Sequence, residues 1–158
     1  MRSPEAVRAR QLHTRHGLRP PVDVVGLAAC YGLDVEWLRL SDQVAGLLLR
    51  EGPRYLVVVN SRAPQGRQRF TVAHELGHFF LHSRDQRYFL CTYGLQGRFE
   101  READRFASEL LMPAAAVRRL AAAMRVEELL SYFGVSREAM AIRLKELGLE
   151  AGAGPAGG

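Results

Sequence analysis

Three of the chain's five histidines, His74, His78 and His82, fall within nine residues, and Glu75 directly follows the first of them. On an α-helix His74 and His78 lie one turn apart with Cβ atoms about 5–6 Å from each other on one face, so both imidazoles reach a single ion. That H-E-x-x-H spacing is the signature of a zinc peptidase site, in which two nitrogen ligands are combined with a carboxylate base. Glu75 is turned about 100° from His74 and is free to face a metal-bound water instead of the ion. Zinc lowers the pKa of such a water towards ~7, and Glu75 can take its proton and pass it to a leaving amine. His82 lies about 80° around the helix from His74, near the site but away from the ion. Three histidines rising along one helix do not easily converge on a tetrahedral centre, so packing or support of the ligands is the reading for His82. The competing reading, a helix of core histidines satisfied by hydrogen bonds, needs the motif, its apolar flanks and a second acid-bearing helix to coincide by accident.

A catalytic zinc takes three protein ligands and keeps a fourth position for water, so one ligand must come from elsewhere. The segment from about Phe99 to Met112 reads as an amphipathic helix ended by Pro113, and it offers Glu100, Glu102, Asp104 and Glu109. Ala103, Phe106, Ala107, Leu110 and Leu111 mark its inner face. Glu100 lies one turn before Ala103 and Asp104 on that side, whereas Glu102, Arg105 and Glu109 project away. The helical face therefore selects Glu100 as the third ligand, with Glu102 in reserve and otherwise a solvated acid. Asp104 is placed to accept the free imidazole N–H of His74 or His78, the contact that fixes a ligand's tautomer.

These side chains need elements to position them. The metal-bearing helix is expected from Pro64–Gln65 to about His82, largely buried through Val72, Leu76, Phe79, Phe80 and Leu81. Gly77 costs ~1 kcal/mol in a helix interior and signals a closely approaching neighbour. Upstream, residues 4–16 favour a helix capped by Ser3 and ended by Gly17, and residues 22–31 a short packing helix stopped by Gly32. Three β-like runs follow, Leu33 to Leu40, Val44 to Arg50 and Arg54 to Asn60, with turn chemistry at Ser41-Asp42 and Glu51-Gly52-Pro53. Their short links predict an antiparallel three-stranded meander, and the continuous apolar runs at 47–49 and 56–59 predict cover on both faces. An exposed edge of that sheet above the metal helix is where an extended substrate strand would lie.

Residues 83–98 read as a cleft-wall loop with a short strand at 88–93. Beyond Pro113 come an Ala-rich helix over 114–123 and helices at 126–133 and 137–147, the last two joined by a turn from Gly134 to Ser136. The fold class is α+β, a small antiparallel three-stranded sheet packed with helices and a C-terminal helical subregion. Residues 1–150 are expected to form one domain that includes a helix-turn-helix-like pair at 126–148. Residues 151–158 are a Gly/Ala tail that buries nothing and is expected to be disordered.

At 158 residues, with 47% hydrophobic and 25% charged residues, the chain can bury a core without disulfides. No apolar run approaches the ~20 residues of a membrane helix and no apolar signal region opens the sequence, so a cytoplasmic protein is expected. Cys30 and Cys91 fit no metal or redox spacing and are expected as buried free thiols. The net charge of +5 comes from 21 Arg and one Lys against 17 acids, with Arg2, Arg8, Arg10, Arg15 and Arg19 clustered at the start. A solvated basic helix accounts for that cluster better than a nucleic-acid arm, leaving direct nucleic-acid binding as the minor reading.

The segment from Gln68 to His82, QRFTVAHELGHFFLH, followed by Glu100 to Pro113, EREADRFASELLMP, resembles the ImmA/IrrE family of bacterial zinc metallopeptidases. The second segment is similar to that family's E-x-x-A-[N/D]-x-F-A-x-x-L-L-M-P block, whose leading Glu corresponds to Glu100. The order of elements agrees from about residue 5 to residue 149, including the terminal segment VSREAMAIRLKELGL from Val135. The resemblance implies a zincin-like active-site helix and a divalent ion, zinc, with manganese as the alternative in the cell. It also implies a protein substrate, typically a helix-turn-helix repressor encoded nearby, cleaved in a stress-response or mobile-element circuit. No repressor-like domain precedes the peptidase region in this sequence, so action in trans is the expectation. The rival reading is a DNA-binding or sensor module that uses residues 126–147 as a helix-turn-helix around a structural zinc. Ala139, Ile142, Leu144 and Leu147 then serve packing, and only Arg137, Arg143 and Lys145 remain as contacts, opposed by Glu138 and Glu146. A structural zinc would also want a fourth ligand, and none is evident.

Overall fold

The computed structural model describes residues 3–82, 88–92 and 97–149. The expected tail at 151–158 and much of the expected loop at 83–98 lie outside the described residues. In chain order the elements are α1 (Pro4–His16), α2 (Val24–Cys30), β1 (Leu33–Leu38), β2 (Val44–Glu51), β3 (Arg54–Asn60), α3 (Gln65–His82), β4 (Tyr88–Thr92), α4 (Arg98–Leu111), α5 (Ala114–Ala121), α6 (Val126–Phe133) and α7 (Arg137–Glu146). The ends follow local chemistry. The Ser3 hydroxyl accepts the Ala6 N–H at 3.2 Å and Gly17 turns left-handed at φ 58°, so α1 is capped at both ends. Asp23 caps α2 by accepting the Gly26 N–H.

The α+β class is as expected, but the sheet is not a three-stranded antiparallel meander. It has four described strands in the order β1-β3-β2-β4; β1 pairs with β3 in parallel, and β2 pairs antiparallel with both β3 and β4. The tight turn at Gly52 makes β2 and β3 a hairpin, as the sequence predicts. The link from β1 to β2 instead crosses the end of β3, and Asn60 pins it there. The Asn60 side-chain amide donates to the carbonyls of Ser41 and Val44 at 3.0 and 2.9 Å, while its oxygen accepts from the Leu40 N–H at 3.3 Å. One buried amide thereby satisfies a five-residue crossing that its length alone does not reveal. β3 becomes the inner strand between β1 and β2, which explains why Val57, Val58 and Val59 are all buried.

α3 lies between this sheet and α4, and glycine sets both distances. A Cβ on Gly46 of β2 would come within 2.5 Å of Thr71 Cγ2, so strand and helix meet backbone to side chain there. A Cβ on Gly77 would lie 3.1 Å from Ala103 Cα, which is the close approach the sequence anticipates. α1 covers the other side of α4, with His13 Nε2 hydrogen-bonded to the Leu110 carbonyl at 2.7 Å. Cys30, expected as buried, is exposed because it ends α2 on the outward side.

Three further side chains depart from expectation. Glu109, assigned to the outer face of α4, is buried and paired with Arg143 of α7, and Arg143, assigned to the surface as a DNA contact, is buried with it. Arg143 Nε also donates to the Met112 carbonyl at 3.0 Å. The outer side of α4 is thus covered near its end, because the Arg143 side chain reaches Glu109 and the Met112 carbonyl from α7. Ile142, expected to pack, is 52% exposed. None of the described helices is long and apolar enough to cross a membrane.

Candidate metal centre

α3 carries His74, Glu75, His78 and His82, and all four side chains are buried. α4 crosses it closely, so that His74 meets Asp104, Gly77 meets Ala103 and His82 meets Glu102. Glu100 reaches the two histidines together. Its Oε2 lies 2.8 Å from His74 Nε2 and its Oε1 lies 3.0 Å from His78 Nε2, while the two Nε2 atoms are 3.1 Å apart. His74, His78 and Glu100 form a group of donors suited to one metal ion. Two imidazole nitrogens and a carboxylate at these separations match neighbouring ligands of a single coordination shell, and the donor types suit zinc.

Charge at the site follows burial and contact. Burial pushes the Glu100 carboxyl up, yet the hydrogen bonds from His74 and His78 outweigh it and hold the group at about 2. Burial pushes His78 down, favouring the neutral ring that a metal requires. Asp104 Oδ1 lies 2.7 Å from His74 Nδ1, as the helical face suggests, and by accepting that N–H it would keep Nε2 available to an ion in place of its hydrogen bond to Glu100. Removing the acceptor with Asp104→Ala is expected to weaken zinc binding by roughly 10–100-fold, measured by competition with a chromophoric chelator.

Glu75 is different in kind. It is 0% exposed and neither carboxyl oxygen has a hydrogen-bond partner among the described residues. Such a group is costly to bury unless something supplies its missing bonds, and a water on a neighbouring ion would do so. Burial raises its pKa to about 8; His74 offsets a part of this and Glu100 adds to it. In the metal-free protein the folded chain therefore holds a proton that the unfolded chain has released between the ordinary value of 4.5 and about 8. The contribution of Glu75 to stability is full below that window and falls as pH rises through it, by up to about 1.4 kcal/mol for each pH unit crossed. Urea denaturation of metal-free protein at pH 5 and pH 8 checks the sign as the difference between the parent chain and Glu75→Gln, because the lowered pKa of His78 adds a contribution of opposite sign to both.

His82 and Glu102 are also brought into the site, though not as donors to the group formed by the other three. His82 Nδ1 lies 3.0 Å from His78 Nδ1, its Nε2 lies 2.9 Å from Glu102 Oε2, and its ring stacks on Phe99. Glu102, expected as a reserve ligand or a solvated acid, is a mostly buried partner of His82, with 14% of its side chain exposed. Assigning faces by direction alone missed it because a long side chain on a helix flank folds back towards a buried polar neighbour.

A buried helix with two histidines a turn apart, joined by a carboxylate from a crossing helix and backed by a small mixed sheet, defines a zincin-like domain. The chain belongs to the family of IrrE N-terminal-like domains, a peptidase family whose model matches residues 28–145. It is 38% identical over 74 residues to metallopeptidase ImmA of Bacillus subtilis (strain 168), a match covering 44% of this chain and 43% of that protein. It is 33% identical over 89 residues to the uncharacterized immunity region protein 2 of Bacillus phage phi105, covering 55% and 56% of the two chains. The fold is similar to that of a Mycobacterium tuberculosis transcriptional regulator, with a TM-score of 0.63, 18% identity, and coverage of 89% of this chain and 46% of that one. The matched region thus spans about half the length of each relative.

Proposed function

We propose that this protein is a zinc-dependent peptidase that cuts a specific protein partner, a helix-turn-helix repressor of a stress-response or mobile-element circuit. The observation that carries the reading is Glu75, a fully buried carboxyl group without hydrogen-bond partners among the described residues, beside a group of three donors that suits one ion. His74, His78 and Glu100 would hold the ion, with zinc preferred and manganese the alternative in the cell. When bound, the ion would supply Lewis acidity, activating a water and polarising a scissile carbonyl. Glu75 takes a proton from the attacking water on a carboxylate oxygen and delivers it to the departing amine. Its buried position next to the donor group would keep the carboxyl within reach of that water and away from bulk solvent. Asp104 keeps the His74 ring in one tautomer while this happens.

The choice of a repressor as substrate is supported by the kind of relatives the chain has, a metallopeptidase and a phage immunity-region protein. The rival DNA-binding reading loses weight from Arg143, which is engaged by Glu109 and the Met112 carbonyl and faces inward. Arg137 is similarly paired with Glu127 at 3.0 Å. The test is to incubate the purified protein with zinc and the helix-turn-helix repressor encoded beside it, and to analyse the products by intact mass. Two complementary fragments, absent with Glu75→Gln, are expected. An intact repressor together with tight, sequence-specific binding of duplex DNA by this chain would favour the rival instead.

A further inference from the structure

We propose that His82 and Glu102 form a positioning relay that locks His78 for metal binding, so that each histidine of the motif has its own carboxylate anchor on α4. The inference rests on reading His78 as a ligand. Ala103 packs on Gly77 at the centre of the α3–α4 contact, and Glu102 and Asp104 are its two chain neighbours. Each is turned about 100° from Ala103, in opposite directions, so the pair flanks the contact on both sides. Asp104 reaches His74 directly. Glu102 stands too far along α3 to reach His78, and His82 spans the gap, one turn on from His78.

The hydrogen bonds of the relay fit one consistent direction. When an ion takes the Nε2 lone pair of His78 in place of the hydrogen bond to Glu100, the ring proton sits on Nδ1 and donates to His82 Nδ1, 3.0 Å away. His82 then carries its proton on Nε2 and donates to Glu102 Oε2 at 2.9 Å. Arg98 Nε–H donates to the other oxygen of Glu102 at 2.8 Å, and Phe99 stacks on the His82 ring with centroids 4.2 Å apart. If Nε2 of His78 is given to an ion, only its Nδ1 keeps a proton, and a neutral His82 accepts that proton's bond on Nδ1 while passing its own N–H to Glu102. His82 is therefore a positioning residue and not a ligand.

Zinc affinity of the full chain, measured by chelator competition, tests the relay without any substrate. His82→Phe keeps the stacking on Phe99 and removes the acceptor; zinc Kd should rise by roughly 10–100-fold. Glu102→Gln keeps the shape and removes the charge, with a smaller rise of about 3–10-fold expected from a change one bond further out. Added to His82→Phe, Glu102→Gln should cost nothing more, because the two act through one chain. Added to Asp104→Ala, it should multiply, because those two act on different histidines. Visible spectra of the cobalt-substituted proteins should shift with His82→Phe, and urea midpoints of the metal-free proteins report whether folding is retained. A His82→Phe zinc Kd within twofold of the parent, or a full additional loss in the double variant, overturns the relay. Absence of zinc binding by the parent chain overturns the reading of the metal centre itself, and the two failures are thereby separated.

Discussion

Replacing Glu75 by Gln is expected to lower the proposed peptide cleavage by roughly 10²–10⁴-fold, the contribution of a well-placed general base, and to leave zinc bound. Glu75 is fully buried, its oxygens have no protein partner among the described residues, and its pKa of about 8 reflects that environment. Gln keeps the size and removes the ability to take a proton, so the loss falls on the chemical step and kcat, with KM little changed. The same substitution removes the burden of ionising a buried acid and stabilises the metal-free chain above pH 4.5, increasingly up to about pH 8. Measured together, a variant that is inactive, metal-loaded and more stable distinguishes loss of a base from loss of fold. A variant that loses zinc would instead make Glu75 a ligand.

Arg143→Ala is the substitution expected to destabilise the fold most, by about 3–5 kcal/mol, since it strips the partner from a buried carboxylate. The side chains of Arg143 and Glu109 are only 9% and 5% exposed, and Arg143 also satisfies the Met112 carbonyl at the end of α4. Arg10, 3.5 Å from Glu109 and 43% exposed, provides partial compensation, which places the expected cost towards the lower end of that range. At this chain length about 3 kcal/mol corresponds to a fall in melting temperature of roughly 6–12 °C. Combining Arg143→Met with Glu109→Gln removes both charges and should recover most of the loss, because the damage lies in the orphaned charge more than in the missing attraction. Thermal unfolding of the two variants at one metal concentration reads both effects.

Much of this architecture is written locally. Ser3 and Gly17 bound α1, Gly52 makes the hairpin of β2 and β3, and Gly77 signals the close contact with Ala103, since each answers to chemistry within a few residues. Glu100 stands out for the same reason: the inner face of α4 is marked by its own alanines, leucines and phenylalanine, and the structure brings Glu100 to His74 and His78. What the sequence conceals depends on pairing at a distance. Nothing in the link between β1 and β2 states that β3 lies between them; that depends on Asn60, twenty residues beyond Leu40, satisfying the crossing. Glu102 and Glu109 read as solvated acids because a helical wheel knows the direction of a side chain but not the neighbour waiting there. His82 in one case and Arg143 in the other turn an exposed direction into a buried bond.

The central claim is a site with three protein ligands and an adjacent base, and a crystal structure of the zinc-loaded protein with anomalous data at the zinc edge tests it most directly. The account predicts one ion bonded to His74, His78 and Glu100, a remaining position open to solvent, and Glu75 close by without bonding to the ion. An ion closed off by a fourth protein ligand, or bound elsewhere in the chain, would contradict it and make the metal structural.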